Sequence, residues 1–461
     1  MTRRSRREFL KTAAAGGMAA ASFRTVLATQ APGQTREVPP GDRIQIALIG
    51  AGGQGMGDTR TALRVPGVEL VAVADVYDGR LTRAKEIWGN SIFTTRDYRE
   101  VLARPDVDAV IVATPDHWHS RISIDAMKAG KDVYVEKPMV QHAAEGLPIV
   151  QTEKSTSRLL QVGSQRVSSI IYAKARELYK SGSIGALNMV EAWINRNSAM
   201  GAWQYTIPPD ASPQTVDWDR FIGHAPERPF EAIRLFRWRN YRDYGTGIPG
   251  DLFVHLFSGI HYVLDSLGPT RIMATGGLRY WNDGRDVPDV MLGLYDYPKT
   301  AAHPEFTLAL KVNFAEGSGE NQAFRFIGPE GVITIGGNAT TLARRERPKE
   351  PGYTIETFPE AIQKQILEEY RSKYPEQQEL RPGREEVYAA PQGYSDTYDH
   401  FANFFDAVRS RKPVVEDATF GLRAAGPAVL TNDSLFERRP IGWNPETMKA
   451  TEARAPNGGR E

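Results

Sequence analysis

Three side chains of this sequence are of the types that transfer protons: Lys137, Asp251 and His255. Lys137 stands between Glu136 and Pro138, and the proline stiffens the turn and fixes the direction of the amine. A lysine partly shielded from water can exchange a proton with a hydroxyl group. Asp251 and His255 are four residues apart, so they share one face of a helix. The three residues predict acid–base chemistry on a hydroxyl group whose proton is taken by His255 or Lys137. We favour His255 as the base, oriented by Asp251, with Lys137 polarising the same oxygen.

A glycine-rich turn follows the first apolar run, residues 44–49, and reads G-A-G-G-Q-G. A second apolar run, 68–74, ends in an acid that lies 20 residues beyond the last glycine. In a dinucleotide-binding unit the glycines allow the sharp turn and the approach of the pyrophosphate, and the acid accepts from the ribose hydroxyls. The predicted nucleotide-binding residues are Gly50, Gly52, Gly53, Gln54, Gly55 and Asp75.

The acid at position 75 also predicts which cofactor is preferred. A carboxylate at this position repels a 2′-phosphate, and Asp78 adds to the repulsion, while Arg80 could soften it. We therefore expect NAD rather than NADP.

The elements that must position these residues alternate between strand and helix over residues 42–165. Such βα units imply right-handed crossovers and a parallel sheet, so this stretch is predicted to be a Rossmann NAD(P)-binding domain. Further candidates follow its strands. Arg166 could bind substrate hydroxyls, and His117 and Trp118 could shape the edge of the substrate pocket. The histidines lack a distinctive metal-ligand spacing, and no metal is predicted.

Near residue 185 the pattern changes to alternating strands with few helices, and residues 166–442 are predicted to form a second domain with a large open, mostly antiparallel sheet. This second domain is of the α+β class and is expected to hold substrate and form the oligomer. One long strand is predicted over 323–335 and one helix over 249–267. Residues 197–245 are predicted to be an aromatic-rich inserted loop, 344–395 an exposed excursion, and 443–461 a tail.

Composition excludes several classes of protein. The chain has 461 residues, which predicts two domains, and it has no cysteine, which excludes disulfides, iron–sulfur clusters and a thiol nucleophile. Residues 1–28 carry six basic residues against Glu8, so the formal net charge of +1 becomes −4 without them. That balance gives no electrostatic reason to expect a nucleic-acid partner.

The N-terminal segment reads as an export signal. Residues 5–11, S-R-R-E-F-L-K, match the twin-arginine pattern around Arg6 and Arg7, and an Ala-rich run too short to span a bilayer follows. We predict a signal peptide over 1–28, a linker over 29–41, passage through the twin-arginine machinery and a periplasmic or otherwise extracytoplasmic location without a membrane anchor. That route carries folded proteins, so the cofactor is expected to be tightly bound.

Over residues 42–442 the chain resembles the Gfo/Idh/MocA oxidoreductases, the group of glucose–fructose oxidoreductase and inositol dehydrogenase. Its motifs are the glycine loop, T-P-x-x-x-H at 114–119 with E-K-P at 136–138, and D-x-x-x-H at 251–255. The resemblance implies a nicotinamide cofactor, a sugar or cyclitol substrate, and a homodimer or homotetramer formed through the open sheet. Thr246 and Ser258 depart from the family pattern near the expected sugar site. The resemblance assigns cofactor binding to Thr114, Pro115, His119, Glu136 and Lys137.

Two other functions share these motifs. An NAD-dependent glycoside hydrolase would oxidise the sugar transiently, eliminate the aglycone and restore the cofactor, but its known relatives tend to lack the lysine of E-K-P. A dinucleotide-binding module without catalysis would not need Lys137, Asp251 and His255 together. The sequence therefore favours net hydride transfer between a carbohydrate CH–OH and the nicotinamide.

Overall fold

The structure is a computed structural model that describes residues 24–27, 39, 42–344, 352, 354–375 and 385–453. The twin-arginine motif and its Ala-rich run lie outside the described residues. No helix in the described ranges is long and apolar enough to cross a membrane.

The strands form two sheets and are, in chain order, β1 Arg24–Leu27, β2 Ile44–Ile49, β3 Val68–Ala74, β4 Phe93–Thr95, β5 Ala109–Val112, β6 Asp132–Glu136, β7 Leu160–Gly163, β8 Met189–Asn195, β9 Arg271–Gly277, β10 Val290–Tyr297, β11 Phe306–Asn313, β12 Asn321–Gly328, β13 Gly331–Gly336, β14 Ala339–Arg344, β15 Glu385–Ala389, β16 Ile441–Asn444 and β17 Lys449–Glu452. The α-helices are α1 Gly53–Ala62, α2 Asp78–Trp88, α3 Tyr98–Leu102, α4 Asp116–Lys128, α5 Gly146–Thr156, α6 Ile170–Lys180, α7 Trp218–Ile222, α8 Ala232–Phe236, α9 Val254–Leu264, α10 Glu360–Lys373, α11 Asp396–Ser410 and α12 Ala418–Glu437.

The first sheet is parallel throughout and has the strand order β4-β3-β2-β5-β6-β7. Its strands are nearly continuous apolar runs because helices cover both faces. The carboxyl ends of β2, β5 and β6 lie side by side, and the order reverses at β2, which is where ligands bind in such sheets. The predicted Rossmann domain is confirmed.

The second sheet has eleven strands in the order β1-β15-β14-β13-β12-β8-β11-β10-β9-β16-β17. The pairs β1–β15 and β8–β11 are parallel, and the other pairs are antiparallel. Helices α6, α9 and α12 cover one face, while Met273, Leu292 and Leu294 are exposed on the other. The predicted open, mostly antiparallel sheet is confirmed.

Several predicted boundaries differ from the structure. The single strand predicted over 323–335 is two strands, β12 and β13, because Pro329 and Glu330 turn the chain into a hairpin. The predicted tail, 443–461, supplies the end of β16 and all of β17, and its Trp443 is buried. The predicted excursion supplies β15 to the sheet.

Two segments pack against a different part of the molecule from the one that the predicted domain boundaries assigned them to. Helix α11 lies within the predicted second domain, yet its Phe401, Phe404 and Phe405 pack in the core of the first sheet. The ring of Phe401 stacks on Tyr134 of β6 at 4.2 Å. Strand β1 lies within the predicted signal peptide, yet it pairs with β15 at the edge of the second sheet. In both cases long-range pairing, which a local pattern does not encode, decides the placement.

Candidate functional site

The glycine loop joins β2 to α1 at the centre of the first sheet. Gly50 has φ of +95°, and a Cβ there would lie 2.6 Å from the carbonyl oxygen of Ala113 on the neighbouring strand. A Cβ on Gly55 would lie 2.1 Å from the carbonyl oxygen of Gly50, so only glycine allows α1 to start this close to the sheet. No side chain caps the N-terminus of α1, so its first amide groups are available to an anion.

Asp75 stands at the end of β3 and is 6% exposed. Its carboxylate accepts from the amide of Ala51 at 2.7 Å and from that of Tyr77 at 3.0 Å, and Arg80 lies 3.4 Å away. These bonds hold the carboxylate beside the glycine loop, where a ribose would lie. The two carboxylate oxygens of Asp78 accept from Nε and Nη2 of Arg96, so the repulsion expected from Asp78 is largely neutralised.

A cleft of about 480 Å³ opens over the glycine loop. Residues of the first domain and of the segment that follows β8 line this cleft. A nucleotide bound there is therefore enclosed and does not lie on an open surface. The lining residues of the first domain include Gly50, Gly52, Gly53, Gln54, Asp75, Arg80, Thr114, Pro115 and Trp118, and those of the segment 197–245 include Met200, Tyr205, Phe221, Phe236, Trp238 and Arg239.

The segment 197–245, predicted to be an inserted loop, is an ordered cover over this cleft. Val216 forms an isolated bridge with Tyr77, and the neighbouring backbone donates and accepts across the same junction at 2.8 and 3.0 Å. The hydroxyl of Tyr77 donates to Asp210 at 2.6 Å, and Arg96 donates to the carbonyl of Gln214 at 2.9 Å. An apolar cluster built around α7 and α8 packs behind these bonds.

Lys137 and Asp251 meet where the two domains join. The amine of Lys137 donates to Oδ1 of Asp251 at 2.8 Å and to its backbone carbonyl at 3.0 Å. Arg239 donates to the same Oδ1 at 3.1 Å, and the indole of Trp203 donates to Oδ2 at 3.2 Å. Although burial opposes its ionisation, Lys137 and Arg239 hold the pKa of Asp251 well below its usual range. The carboxylate therefore stays charged and fixes the amine.

Close packing of backbone at this junction brings the two residues together. A π-helical turn, Pro249–Phe253, precedes α9 and carries Asp251. A Cβ on Gly250 would lie 1.9 Å from Oγ1 of Thr246 and 2.9 Å from the ring of Pro138. The missing side chain lets the E-K-P turn rest against the π-helical turn, and Lys137 reaches Asp251 as a result.

His255 lies in α9, one turn after Asp251, but the two side chains are not hydrogen-bonded. The Nδ1 atom of His255 lies 3.2 Å from the carbonyl oxygen of Ser164, which can only accept, so Nδ1 carries the hydrogen and Nε2 has a free lone pair. The prediction that Asp251 orients His255 is wrong: Asp251 orients Lys137, and Ser164 orients His255. The predicted helix 249–267 starts with a π-helical turn, which is wider than an α-helical turn and offsets residues four apart.

The charges at the site favour a neutral imidazole. Burial, then the charges of Lys137 and Arg166, hold the pKa of His255 well below its usual range. Burial also raises the pKa of Glu136 to about 7, against the effect of the neighbouring Lys137. A neutral histidine near a lysine amine is an arrangement in which one group can accept a proton and the other can donate a hydrogen bond to an oxygen anion.

The two histidines of the motif that follows β5 hold parts of the site together and do not line the cleft. The carbonyl of Phe221 lies 2.9 Å from Nε2 of His117 and accepts from the indole of Trp118 at 3.0 Å. His117 is 1% exposed and packs inside the cover, so its predicted place at the substrate-pocket edge is wrong, whereas Trp118 does line the cleft. His119 contacts the carbonyls of Thr114 and Pro138, both at 2.7 Å, and so bridges two loops of the site instead of opening toward a cofactor.

The two departures from the family pattern also have structural roles. Thr246 donates its hydroxyl to the buried Asp116 at 2.6 Å and its amide to the same oxygen at 2.9 Å, which ties the second domain to the start of α4. Ser258 is fully buried and contacts the carbonyl of His255 at 3.3 Å. Arg166 lies 3.3 Å from Asp396 and contributes its charge beside His255.

Sequence reasoning missed two residues of this site: Arg239 and Ser164. No motif marks them, because each contributes through a position that the tertiary fold creates. The basic character of 197–245 was the only signal for Arg239. Among the described residues, no group of three or more histidine, aspartate or glutamate side chains is arranged to hold a metal ion.

A Rossmann domain joined to an open-sheet domain, with a nucleotide-sized cleft between them, is the architecture of two-domain dinucleotide-binding proteins. Residues 44–164 match the model of the Gfo/Idh/MocA oxidoreductases, NAD-binding Rossmann fold, and residues 193–275 match that of the family's C-terminal alpha/beta domain. The first match lies within the Rossmann domain and the second within the open-sheet domain.

The curated relatives match the first domain. Inositol 2-dehydrogenase of Gluconacetobacter diazotrophicus is 34% identical over 160 residues, which is 34% of this chain and 47% of the relative. Glycosyl hydrolase family 109 protein 1 of a Shewanella species is 33% identical over 128 residues, 26% of this chain and 28% of the relative. The chain thus spans less than half the length of these relatives.

Solved structures of similar fold cover nearly all of their own chains. Levoglucosan dehydrogenase in complex with NADH has a TM-score of 0.61 at 17% identity, covering 87% of this chain and 99% of that one. Aldose–aldose oxidoreductase from Caulobacter crescentus, complexed with glycerol, has a TM-score of 0.61 at 16% identity, again covering 87% and 99%. At this identity the likeness concerns the fold.

Proposed function

We propose that this protein is an NAD(H)-dependent oxidoreductase that transfers a hydride between a CH–OH group of a sugar or polyol and the nicotinamide. The observation that carries the proposal is the meeting of Lys137, Asp251 and His255 where the two domains join beside the nucleotide cleft. The residues of the cleft fit the cofactor, because the glycine loop leaves room for a pyrophosphate and Asp75 stands at the ribose position. The bound nicotinamide would supply the hydride acceptor.

The protein residues then have separate roles. The substrate hydroxyl would lie between Lys137 and His255, and Nε2 of His255 would take its proton, because Nδ1 is committed to Ser164. Lys137 would donate a hydrogen bond to the same oxygen and stabilise its developing negative charge. Asp251, held by Arg239 and Trp203, would keep the amine in place. In the reduction direction the same groups return the proton.

The test of this assignment is turnover in single variants. Lys137→Met and His255→Ala should each lower turnover by roughly 10²–10⁴-fold, the usual loss for a positioned acid–base group. Both should retain nucleotide, because neither side chain lines the cleft. Lys154→Met, at an exposed lysine of α5, is the control and should behave like the wild type. Wild-type turnover in either site variant on the true substrate would refute the assignment.

We further propose that the cofactor is NAD(H) and stays bound through turnover. The support is the cover: a nucleotide could leave only if the bonds between Tyr77, Val216 and Asp210 opened together with the cluster behind them. A protein purified without added nucleotide and passed through a desalting column should carry close to one NAD(H) per chain on extraction. A protein that emerges without nucleotide would contradict retention.

Retention favours reactions that regenerate the cofactor in place. Two sugars could be oxidised and reduced in turn, or one glycoside could be oxidised, cleaved and re-reduced. The second alternative is supported by the match to a family 109 glycosyl hydrolase over the first domain. Incubation with aryl glycosides and, separately, with pairs of free sugars distinguishes the two by release of the aglycone or by net oxidation found in product mass spectra.

Two further parts of the proposal concern the whole protein. Export through the twin-arginine pathway to an extracytoplasmic location is proposed from residues 5–28 of the sequence. A homodimer or homotetramer through the open face of the second sheet is supported by the exposed Met273, Leu292 and Leu294. Light scattering of the wild type and of Leu292→Arg would test this, because a charge in a buried interface should yield the monomer.

A further inference from the structure

The turn that follows β7 holds the partner of His255. Its Ser164 is fully buried, and the carbonyl oxygen of Ser164 lies 3.2 Å from Nδ1 of His255. The next residue, Gln165, has φ of +62°, in the left-handed region that non-glycine residues rarely adopt. Within the turn the carbonyl oxygen of Ser164 accepts from the amide of Arg166 at 2.8 Å, and contacts from outside the turn help to keep this strained shape.

Glu416 provides two of these contacts from the far end of the chain. It stands just before α12 and is 1% exposed. The hydroxyl of Ser164 donates to Oε2 of Glu416 at 2.5 Å, and the backbone carbonyl of Glu416 accepts from the amide of Val162 at 3.0 Å. Its other oxygen, Oε1, has no hydrogen-bond partner among the described residues.

Burying a carboxyl group costs desolvation free energy, whereas an apolar side chain of similar size would fill the same space without that cost. The contact with Ser164 is the one hydrogen bond recorded for the Glu416 side chain among the described residues, and it acts on the residue that orients His255. Glu416 does not line the cleft, so its side chain contacts the site through Ser164 and not through a bound nucleotide.

We propose that Glu416 is a positioning residue for proton transfer by His255: by holding the hydroxyl of Ser164 it aims the Ser164 carbonyl at Nδ1 and leaves Nε2 directed at the substrate. This inference rests on the proposed role of His255. Loss of the contact would let the imidazole turn away from the substrate hydroxyl without changing how the substrate or the nucleotide binds.

The test compares two substitutions at the same position in the full-length protein loaded with nucleotide. Glu416→Leu removes the acceptor and should lower kcat by about 10- to 100-fold, the scale of a small misplacement of a catalytic group, with KM within about twofold of the wild type. Glu416→Gln keeps an acceptor for Ser164 and should stay within about threefold of the wild-type kcat. A rescue by glutamine distinguishes the hydrogen bond from packing.

Ser164→Ala removes the hydroxyl donor of the same hydrogen bond and keeps every backbone contact of residue 164. Its kcat should fall as in Glu416→Leu, and the double variant should be no slower than either single one, because both remove one bond. Thr431→Val, which removes a buried hydrogen bond elsewhere in α12, is the packing control and should leave kcat unchanged.

The outcomes separate this inference from the proposed function. If His255→Ala turns over like the wild type, the proposed role of His255 fails. If His255→Ala is inactive but Ser164→Ala keeps the wild-type kcat, only the role of Glu416 is overturned. Equal losses in Glu416→Gln and Glu416→Leu, or in Thr431→Val, would also overturn it, because they would indicate packing.

Discussion

Replacing Glu416 by glutamine should change how the stability of the protein depends on pH. Burial raises the pKa of Glu416 from its ordinary value of 4.5 to about 8. Below pH 4.5 Glu416 is protonated in both the folded and the unfolded state, so its titration takes nothing from the free energy of unfolding. Between pH 4.5 and about 8 only the folded state holds the proton, so stability falls as pH rises.

The size of the effect follows from the shift. One pKa unit corresponds to about 1.4 kcal/mol, so the wild type should lose about 1.4 kcal/mol per pH unit from this group, up to about 5 kcal/mol in all. Glutamine has no such proton. The free energy of unfolding of Glu416→Gln minus that of the wild type should therefore grow by about 1.4 kcal/mol for each unit of pH, whatever constant offset the substitution adds.

The assay is urea unfolding of both proteins at several pH values between 5.5 and 7.5, followed by fluorescence and with nucleotide at a fixed excess. Glu368→Gln, at an exposed position of α10, is the matched control and should track the wild type. Parallel pH profiles for Glu416→Gln and the wild type would refute the reasoning, because they would mean that the proton on Glu416 is released equally in the folded and unfolded states.

Three further outcomes are expected. Asp75→Ala should relax the preference for NAD over NADP, measured as the ratio of the two nucleotides' dissociation constants; an unchanged ratio would remove the carboxylate from the argument. Changing Arg6 and Arg7 together to lysine should leave the protein in the cytoplasm when cell fractions are compared by immunoblot, and export of the double variant would contradict the twin-arginine proposal. Thr246→Val should destabilise the protein by about 1–3 kcal/mol in thermal unfolding, because Asp116 loses one buried donor; no change would mean that this bond contributes little.

The boundaries that sequence reasoning misplaced share a cause. Helix α11 has the periodicity of any amphipathic helix, and nothing in that periodicity says which sheet it will cover. The same holds for β16 and β17, whose short runs gain their place by pairing with β9 and with each other. The sequence of the cover over the cleft predicted a loop because helices α7 and α8 have only five residues each. Helices this short give no periodic pattern of apolar residues.

The sequence by itself determined the features that local chemistry encodes. The glycine loop, the acid at position 75 and the alternation of apolar runs specify a Rossmann domain, because each depends on residues close in the chain. The tertiary structure decided which groups meet. Lys137 and Asp251 are 114 residues apart, Ser164 and His255 are 91 apart, and Ser164 and Glu416 are 252 apart. A hydrogen bond needs its two atoms within about 3 Å, and for such pairs only the packing of the two domains fixes that distance.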